Sequence, residues 1–281
     1  MSKKVAVIND LSGFGRCSLT AAIPVFSVMG VQPCPLPTAV LTNQTGYPQF
    51  FCDDYTDRMD HFTDYWGRLG AAFDGICTGY FANGRQIEKV LHFLERFRGP
   101  ETLLVVDPVM ADDGRIYDTY DEALCREVAL LARRADVITP NLTELCLLTG
   151  GGYEAIAALS EAELLTGVER RAETLRAEGI GTVIVTGVHA GETICNCVFS
   201  EGVRLVERAR RFAGSYSGTG DLFSAAVCAA LVRGDPVGRA VKLATHFLER
   251  SIADTVDTGS DRNDGVNFER HLPLLIEGGE R

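Results

Sequence analysis

Short apolar runs alternate along the chain with longer segments whose apolar residues recur every three or four positions. The short runs are typical of buried parallel strands, and they lie at 5–8, 75–80, 103–106, 137–138 and 182–187. The longer segments predict helices at 17–29, 57–72, 87–97, 121–134, 161–178 and 238–251. The stretches 193–199 and 203–207 predict an antiparallel hairpin, 255–266 predicts a polar loop, and a last helix closes the chain.

This alternation predicts one α/β domain over residues 1–281, because no linker rich in Pro, Gly or Ser divides the chain and no segment repeats. The sheet should be mostly parallel, with the hairpin adding antiparallel strands. Polar residues follow several strands, namely Asp10, Asp107, Thr139 and Thr186. Since the carboxyl ends of parallel strands lie at one edge of a sheet, we expect these residues to face a common site.

The stretch Ser217-Gly218-Thr219-Gly220-Asp221 comes directly before an apolar helix predicted at 222–232. Its two glycines can take backbone angles that other residues avoid, so consecutive N–H groups can turn toward one point beside the positive end of the helix. Asp221 then lies in the first helical turn, next to the place where an anion would bind. An ordinary stabilised helix start has the same residues, so the motif gains meaning only from the rest of the chain.

The composition is that of an ordinary globular protein, with 46% hydrophobic and 23% charged residues. The net charge of −11 argues against non-specific binding to nucleic acid or to an anionic membrane, since both need clustered Lys and Arg. No apolar run is long enough to span a bilayer, and residues 1–4 lead directly into a strand. With nine cysteines and no signal peptide, we expect a reducing compartment and a cytoplasmic location.

The predicted site combines an anion-binding helix start, carboxylates able to carry Mg²⁺, and an Asp that can accept a proton from an alcohol. These are the components of an enzyme that transfers a phosphoryl group to a hydroxyl. The chain lacks a P-loop and the motif set of the protein kinases. Residues 13–18 come close to a dinucleotide fingerprint, but the segment about twenty positions further on offers prolines instead of an acidic residue, which disfavours a dinucleotide-dependent oxidoreductase.

Short motifs spread over most of the chain resemble those of the pyridoxal kinases, the vitamin B6 kinases of the ribokinase-like superfamily. They lie at 41–47, 78–80, 107–110, 139–144 and 218–221. The last of them, Gly-Thr-Gly-Asp, is shared across the superfamily, whereas the others in this order are more specific to B6 kinases. The resemblance implies a three-layer sandwich with a central, mostly parallel sheet flanked by helices, a homodimer, and no separate lid domain.

The resemblance also implies roles for individual residues. Asp221 would be the base that takes the proton of the substrate hydroxymethyl group, and the amides of Gly218, Thr219 and Gly220 would stabilise charge on the moving phosphoryl group. The other implied roles are contacts with the co-substrate ATP for Asn141, Glu144, Thr186 and Thr219, Mg²⁺ binding for Asp112 and Glu144, proximity to a monovalent cation such as K⁺ for Asp107 and Thr139, and contacts with the vitamin for Asp10, Thr45, Tyr80 and Tyr117.

Two of these assignments have an alternative. Asn141 followed by Glu144 is close to a capping box, which stabilises a helix start without any ligand. Asp10 stands where many pyridoxal kinases have a serine. We hypothesise that its charge favours a cationic group and so biases the enzyme toward pyridoxamine or pyridoxine over pyridoxal. Alternatively, Asp10 only caps the first turn.

The main competing interpretation is a kinase of hydroxymethylpyrimidine, a flat heteroaromatic alcohol of similar shape. Kinases specialised for that substrate often have Gly-Thr-Gly-Cys at the motif, so Asp221 favours a B6 kinase. A sugar kinase would need a pocket rich in polar groups, which the proline-rich apolar stretch at 33–41 does not predict. A non-catalytic vitamin or nucleotide sensor with the same fold is a further alternative, although a pure binder has no need of a base.

Overall fold

The structure, a computed structural model, describes residues 2–276. Its strands are β1 (Lys4–Ser12), β2 (Gln32–Leu41), β3 (Cys52–Asp54), β4 (Gly75–Thr78), β5 (Leu103–Val106), β6 (Ala111–Asp112), β7 (Arg115–Ile116), β8 (Val137–Ile138), β9 (Thr182–Ala190), β10 (Thr193–Ser200) and β11 (Val203–Arg210). β6 and β7 form a separate hairpin, and the others form one nine-stranded sheet in the order β11-β10-β9-β8-β5-β4-β1-β2-β3.

The sheet is mixed, as predicted. Neighbouring strands from β2 across to β9 are parallel. At the two ends of the sheet, β3 pairs antiparallel with β2, and the hairpin β10–β11 continues antiparallel from β9. The carboxyl ends of the parallel strands therefore share one edge, where ligands bind in open α/β sheets.

Helices cover both faces of this sheet. They are α1 (Ser18–Val28), α2 (Thr56–Arg68), α3 (Gly84–Phe97), α4 (Glu122–Ala132), α5 (Leu142–Thr149), α6 (Tyr153–Ala157), α7 (Glu161–Ala177), α8 (Thr219–Arg233) and α9 (Val237–Thr258). α1, α8 and α9 build one core around Phe26, Phe223 and Phe247. The remaining helices build the core on the opposite face, around Phe93 and Leu131. The predicted three-layer α/β sandwich is confirmed.

The proline-rich stretch at 33–41, for which the sequence predicts no strand, forms β2. Pro33, Pro35 and Pro37 alternate, so all three lack an N–H on the same side of the strand. β1 pairs with the other side, where Gln32 N donates to Lys3 O at 2.8 Å. β3 pairs only with residues 39–41, so the proline side has no partner strand and loses no hydrogen bond.

The C-terminal part differs from the prediction in two ways. α9 continues to Thr258, because Thr255 is fully buried and its hydroxyl donates to Ser251 O at 2.7 Å, so the predicted polar loop is shorter. The last helix is a 3-10 helix over Glu269–Leu275, with a shorter 3-10 turn at Arg262–Asp264 before it. Within residues 2–276, no helix has both the length and the apolar character needed to cross a bilayer.

Candidate active site

Helix α8 begins in a tight turn against the backbone of the β1–α1 loop. Gly218 is its N-cap, with a φ of +80° in the left-handed region that favours glycine. A Cβ on Gly218 would stand 1.9 Å from the carbonyl oxygen of Arg16. The N–H groups of the first helical turn, which belong to Thr219, Gly220 and Asp221, have no carbonyl partner within the helix. This helix start can therefore receive an anion.

The second glycine of the motif serves a different purpose, because it does not adopt the unusual backbone angles that are open to a glycine. Gly220 has no positive φ and is exposed. A Cβ there would come no closer than 3.6 Å to its nearest neighbour, the Asp107 carboxylate. The absence of a side chain at Gly220 thus leaves open the space between the helix start and the end of β5.

Asp221 lies at the third position of α8 and is partly buried. Its Oδ1 accepts a hydrogen bond from Asn9 Nδ2 at 2.9 Å. Burial raises the pKa of Asp221 above its ordinary value, whereas the hydrogen bonds from the Ser18 backbone and from Asn9 act in the opposite direction. These donors favour the ionised carboxylate, which is the form that can accept a proton.

Asn9 is a site residue that the sequence analysis does not identify. It lies near the carboxyl end of β1 and is only 5% exposed. Its Oδ1 accepts hydrogen bonds from Asp10 N at 3.0 Å and from Tyr80 N at 2.8 Å. A signal was present in the sequence, because Asn9 is the first polar residue after the apolar run at 5–8 and a glycine, Gly79, follows the neighbouring strand β4.

Asp10 is buried next to Asn9, also with 5% exposure. Its Oδ2 accepts a hydrogen bond from Ser12 Oγ at 2.9 Å. Burial raises the pKa of Asp10 to about 6, and the charge of Asp221 adds to this effect, while the hydroxyls of Ser18 and Ser12 oppose it. Asp10 therefore stabilises its own loop, as the capping alternative states, and also lies within electrostatic reach of the candidate base.

Asp107 and Thr139 follow the adjacent strands β5 and β8, and both are buried. Burial raises the pKa of Asp107 to about 7, with a further contribution from the charge of Asp221. The Thr139 hydroxyl lies beside Asp107, buried and without a well-formed hydrogen bond to any residue within 2–276. A buried carboxylate and an unsatisfied hydroxyl are oxygen ligands of the kind that hard cations prefer.

Asn141 and Glu144 form the predicted capping box at the start of α5. Asn141 Oδ1 accepts from Glu144 N, and Glu144 Oε2 accepts from Asn141 N, both at 2.9 Å. Glu144 Oε1 also accepts from Met110 N at 3.0 Å, and Asn141 Nδ2 donates to Ala111 O at 2.7 Å. The two residues thus tie α5 to the segment after β5. Each Glu144 oxygen keeps a second lone pair, so the capping role is compatible with cation binding.

The β6–β7 hairpin carries Asp112. Its turn residues Asp113 and Gly114 have φ angles of +46° and +78°, as in a type I′ turn, for which Asp-Gly is a favoured sequence. Gly114 N donates to Thr143 Oγ1 at 2.9 Å, which fixes the hairpin to α5. The Asp112 carboxylate accepts a hydrogen bond from Asp113 N at 3.0 Å, and the residue is exposed. Asp112 is therefore accessible to a ligand from solvent.

Tyr117 follows this hairpin and connects the acids of the site. Burial raises its pKa, and the charges of Glu144, Asp112, Asp107 and Asp221 add to the effect. The four predicted site acids therefore all lie within electrostatic reach of this tyrosine, which is itself 40% exposed. Their mutual proximity generates a strongly negative region at the edge of the sheet, which a cation would neutralise.

No three His, Cys, Asp or Glu side chains within residues 2–276 are grouped closely enough to chelate an ion by themselves. This does not conflict with the predicted Mg²⁺ site. In phosphotransferases Mg²⁺ is usually held by one or two carboxylates together with phosphate oxygens and water, and it has no all-protein cage. An exposed Asp112 and a buried Glu144 fit that mode of binding.

The segment 42–49, predicted to border the substrate, is held by a loop from the far end of the chain. Gln44 Nε2 donates to Asn263 O at 3.1 Å, and the Tyr47 hydroxyl donates to the Asp264 carboxylate. Thr45 lies between these two anchors and is exposed.

Tyr80 lies just after β4, and Ser217 lies just before the N-cap of α8. Tyr80 is half-buried, and its ring packs edge-on against Tyr120 with 5.7 Å between the ring centroids. Ser217 N donates to Arg262 O at 3.1 Å. The loop that anchors Gln44 therefore also holds the turn that precedes α8.

Thr186 lies on the other side of the site, in the middle of β9. Thr186 N donates to Pro140 O at 2.9 Å, which joins β9 to the segment after β8. Beyond it, a cavity of about 330 Å³ lies between the β9–β10 turn and the chain that leaves β11. Its lining includes His189, Ile194 and Phe212. Neither Asp10 nor Tyr80 lines this cavity.

Comparisons with known proteins identify the family of the chain. The profile of the family described as phosphomethylpyrimidine kinase matches residues 18–266. A pyridoxine/pyridoxal/pyridoxamine kinase of Bordetella avium is 29% identical, and the match covers 86% of this chain and 82% of the relative. A hydroxymethylpyrimidine/phosphomethylpyrimidine kinase of Rhizobium meliloti is 30% identical, and the match covers 91% of this chain and 93% of the relative. A crystal structure from Bacteroides thetaiotaomicron, provisionally named a phosphomethylpyrimidine kinase, was obtained with pyridoxal. Its chain is 38% identical to this one with a TM-score of 0.91, and the match covers 98% of this chain and 96% of that chain.

The fold and the site define a kinase that transfers a phosphoryl group to an alcohol. The chain belongs to the phosphomethylpyrimidine kinase family, within the ribokinase-like superfamily that includes the pyridoxal kinases. It is a kinase of the pyridoxal or hydroxymethylpyrimidine type, with ATP as the expected phosphoryl donor. Its relatives divide between these two substrates, so the choice between them depends on the residues of this chain.

Proposed function

We propose that the protein phosphorylates the hydroxymethyl group of a vitamin B6 vitamer with ATP, using Asp221 as the base. The observation that carries this proposal is the position of Asp221, which is bonded to Asn9 at the start of α8, beside first-turn N–H groups that have no partner within the helix. A binding site for an anion and a proton acceptor therefore lie at the same place. Both are needed when an alcohol attacks a phosphoryl group.

In the proposed reaction the substrate oxygen forms a bond to the γ-phosphorus of ATP, and the bond from that phosphorus to the β–γ bridging oxygen breaks. ADP leaves with the bonding electron pair, and the hydroxyl proton passes to Asp221. The amides of Gly218, Thr219 and Gly220 would stabilise the charge on the transferred group. Because the transition state of such reactions is loose, positioning contributes more than the strength of the base.

ATP would extend from this turn toward β9, with Asn141, Glu144, Thr186 and Thr219 along it. The hydrogen bond from Thr186 N to Pro140 O supports this direction, because it holds Thr186 next to Asn141. The Thr219 hydroxyl bonds to Tyr216 O at 3.3 Å, so it is held at the mouth of the turn.

Two cations complete the proposal. Mg²⁺ would be held by Asp112 and Glu144 with the phosphates, and K⁺ would lie near Asp107 and Thr139, where a buried carboxylate adjoins a hydroxyl without a well-formed hydrogen bond. An ion held by these residues would supply positive charge that offsets the charge developing on the phosphates. Asp107 and Glu144 themselves contribute fixed oxygen ligands, since their carboxylates are buried and Glu144 is bonded to backbone N–H groups.

The vitamin would bind between Asp10, Tyr80, Tyr117 and the segment that carries Thr45. The acidic Asp221 in the motif and the buried Asp10 favour a B6 vitamer, whose ring nitrogen or amine can be protonated. The pyridoxal in the crystals of the Bacteroides homologue supports this substrate class. Asp10 would then bias the enzyme toward pyridoxamine or pyridoxine, through a charge-assisted hydrogen bond.

Hydroxymethylpyrimidine is the second candidate substrate, favoured by the family profile and by the Rhizobium relative. The two candidates share the reaction and differ only in the ring that the pocket accepts. A non-catalytic sensor is less well supported, because it would need neither the base nor the oriented N–H groups of α8. A homodimer and a cytoplasmic location remain predictions of the sequence and its resemblance.

The test is ATP turnover by the purified protein with Mg²⁺ and K⁺, with pyridoxal, pyridoxine, pyridoxamine and hydroxymethylpyrimidine offered separately. We expect turnover with at least one B6 vitamer, and none without an acceptor. Turnover with the pyrimidine alone would keep the reaction but overturn the substrate. If the folded protein binds ATP and phosphorylates none of the four, the sensor becomes the better explanation.

A further inference from the structure

The side-chain amide of Asn9 connects three elements around Asp221. Its Oδ1 accepts from two backbone N–H groups, Asp10 N in β1 and Tyr80 N after β4. Two donors on one atom identify that atom as the oxygen, so the atom that faces Asp221 must be the NH₂ group. The orientation of the amide is therefore determined by its partners, and it presents a donor to Asp221 Oδ1 at 2.9 Å.

Asp221 has few groups that favour its ionised form. The groups whose charge interacts with it come from several elements, namely Asp10 in β1, Cys17 before α1, Cys77 in β4, Asp107 after β5 and Tyr117 after β7. Each of these groups is either neutral or negatively charged, so none of these five favours the ionised form of Asp221. The Ser18 backbone and the Asn9 amide are the partners that act in the opposite direction. Asn9 is thus the side chain that compensates Asp221 for its acidic surroundings.

We propose that Asn9 is a positioning residue for the base. By donating to Oδ1, it holds the Asp221 carboxylate in one orientation and leaves the other oxygen to face the substrate hydroxyl. This inference rests on the proposed role of Asp221, and it adds a residue that no motif of the sequence analysis includes.

Gly79 provides the space that this arrangement requires. Its φ is not positive, so the backbone itself does not demand glycine. A Cβ on Gly79 would stand 2.5 Å from Asn9 Nδ2 and 2.6 Å from Asn9 Cγ. Gly79 N donates to Ile8 O at 2.9 Å, which keeps this backbone next to β1. Alanine at position 79 would therefore push the Asn9 amide away from Asp221 without altering Asn9 itself.

A double-mutant cycle tests this relationship. Asn9→Ala removes the donor, Gly79→Ala displaces it, and the double variant Asn9→Ala/Gly79→Ala has room for both changes. We expect each single variant to lower kcat by roughly tenfold to a hundredfold, because a hydrogen bond to a charged group is lost. The KM for ATP should stay within about twofold, since neither residue is placed at the nucleotide. In the Asn9→Ala background, Gly79→Ala should reduce kcat by less than about twofold.

The same cycle with Asp221→Asn identifies the group through which Asn9 acts. If Asn9 acts through the base, Asn9→Ala should have little further effect in an Asp221→Asn background. A full and independent loss of kcat there would overturn the inference. So would a Gly79→Ala effect that is undiminished when Asn9 is already absent.

A readout that needs no turnover separates this inference from the proposed function. The ¹³C signal of the Asp221 carboxyl group, assigned with Asp221→Asn, can be titrated in the parent protein and in both single variants. We expect the titration midpoint of Asp221 to rise by roughly one pH unit in each, because a donor to the ionised form has been removed. An unchanged midpoint would overturn the role of Asn9 even if the kinase activity is confirmed.

Asn196→Ala is the matched control for this titration. Asn196 is also buried, and its side chain accepts from Gly187 N at 3.1 Å and donates to Thr245 Oγ1 at 2.9 Å. Its loss should lower the melting temperature as the loss of Asn9 does, but leave the Asp221 midpoint in place. If the parent protein phosphorylates none of the offered substrates, the proposed function fails while the titration still decides whether Asn9 orients Asp221.

Discussion

The carbonyl oxygen of Arg16 lies 1.9 Å from the position that a Cβ on Gly218 would occupy. The two residues are far apart in the chain, since one lies in the loop after β1 and the other at the start of α8. Gly218 also has a φ of +80°, which a residue with a side chain rarely adopts. The close approach aligns the N–H groups of α8 with the carboxyl end of β1, so the anion site and the substrate side are built as one unit.

Gly218→Ala should destabilise the protein, while Gly220→Ala should not. The first change adds strain and a clash with backbone that has no freedom to move, for which we expect a loss of about 1–3 kcal/mol in the free energy of unfolding. At Gly220 a Cβ would meet nothing closer than 3.6 Å, and the backbone is helical. Denaturant unfolding of the two variants checks this. Equal losses would show that the approach to Arg16 is not a tight constraint.

Asp221→Asn should reduce turnover by roughly 10²–10⁴-fold, the usual range for loss of a general base. Asparagine keeps the shape of the side chain but cannot accept the proton. The variant should still bind ATP and melt close to the parent temperature, since the change removes a buried charge and leaves the fold intact. Turnover near the parental rate would show that the base is misassigned.

Asp10 should make the protein less stable as the pH rises. Its pKa is raised by burial from the ordinary 3.8 to about 6 in the folded state, so the folded protein holds this proton more tightly than the unfolded chain does. Between about pH 4 and pH 6 the folded state binds more protons, and the free energy of unfolding contributed by Asp10 falls as the pH increases through that window. Above about pH 6 the stability contributed by the protonated Asp10 is fully lost.

Asp10→Asn removes this dependence. Relative to the parent, the variant should gain roughly 1 kcal/mol more at pH 8 than at pH 5. The exposed Asp118 provides the control, since Asp118→Asn should show no such difference between the two pH values. Chemical unfolding at both pH values is the measurement, and a gain that does not depend on pH would contradict the prediction.

The strand and helix order followed from periodicity because most elements are either apolar runs or amphipathic. The pattern misses short elements such as β3, β6, β7 and α6, and it also misses β2, whose prolines look incompatible with a strand. They are tolerated only because Pro33, Pro35 and Pro37 all face the side without a partner, and which side is free depends on where β3 ends. That information is tertiary, and it is not contained in the local pattern.

The site residues also divide into those that the local sequence indicates and those that depend on tertiary contacts. Asp10, Asp107 and Asp221 could be expected to lie together, because parallel strand ends and a glycine turn converge in any such fold. The sequence marks Asn9 only as the first polar residue after an apolar run, because its role depends on contacts with Tyr80 N and Asp221, 71 and 212 residues away in the chain. The anchoring of segment 42–49 by loop 261–265 depends on a similarly long-range contact, Gln44 with Asn263.

Tyr47→Phe should weaken vitamer binding without affecting ATP. The Tyr47 hydroxyl donates to the Asp264 carboxylate, and this bond ties the segment that carries Thr45 to the C-terminal loop. Without it the segment should be more mobile, and we expect the KM for the vitamer to rise by roughly threefold to tenfold, the range of one modest hydrogen bond. Tyr65→Phe, on the exposed face of α2, is the control. Steady-state kinetics with each substrate varied in turn would show a change in the KM for ATP if the interpretation is wrong.

Asp10→Ser should shift the preference among the B6 vitamers. If the Asp10 carboxylate binds the protonated amine of pyridoxamine, which pyridoxal lacks, its loss should lower kcat/KM for pyridoxamine relative to pyridoxal by roughly tenfold or more, since a charge-assisted hydrogen bond disappears. Ser12→Ala is the matched control, because it removes the hydroxyl that bonds to Asp10 but keeps the charge.

The pH dependence of this preference provides a second check. Asp10 has a pKa of about 6 in the free protein, so in the parent enzyme the bias toward pyridoxamine should weaken as the pH falls through about 6 and the carboxylate takes up a proton. In Asp10→Ser the ratio of the two kcat/KM values should not change over the same range. Competition assays with both vitamers between about pH 5 and about pH 8, which covers at least one unit on each side of that pKa, measure the ratio directly. A ratio that is the same in the parent, Asp10→Ser and Ser12→Ala would mean that Asp10 only stabilises its loop.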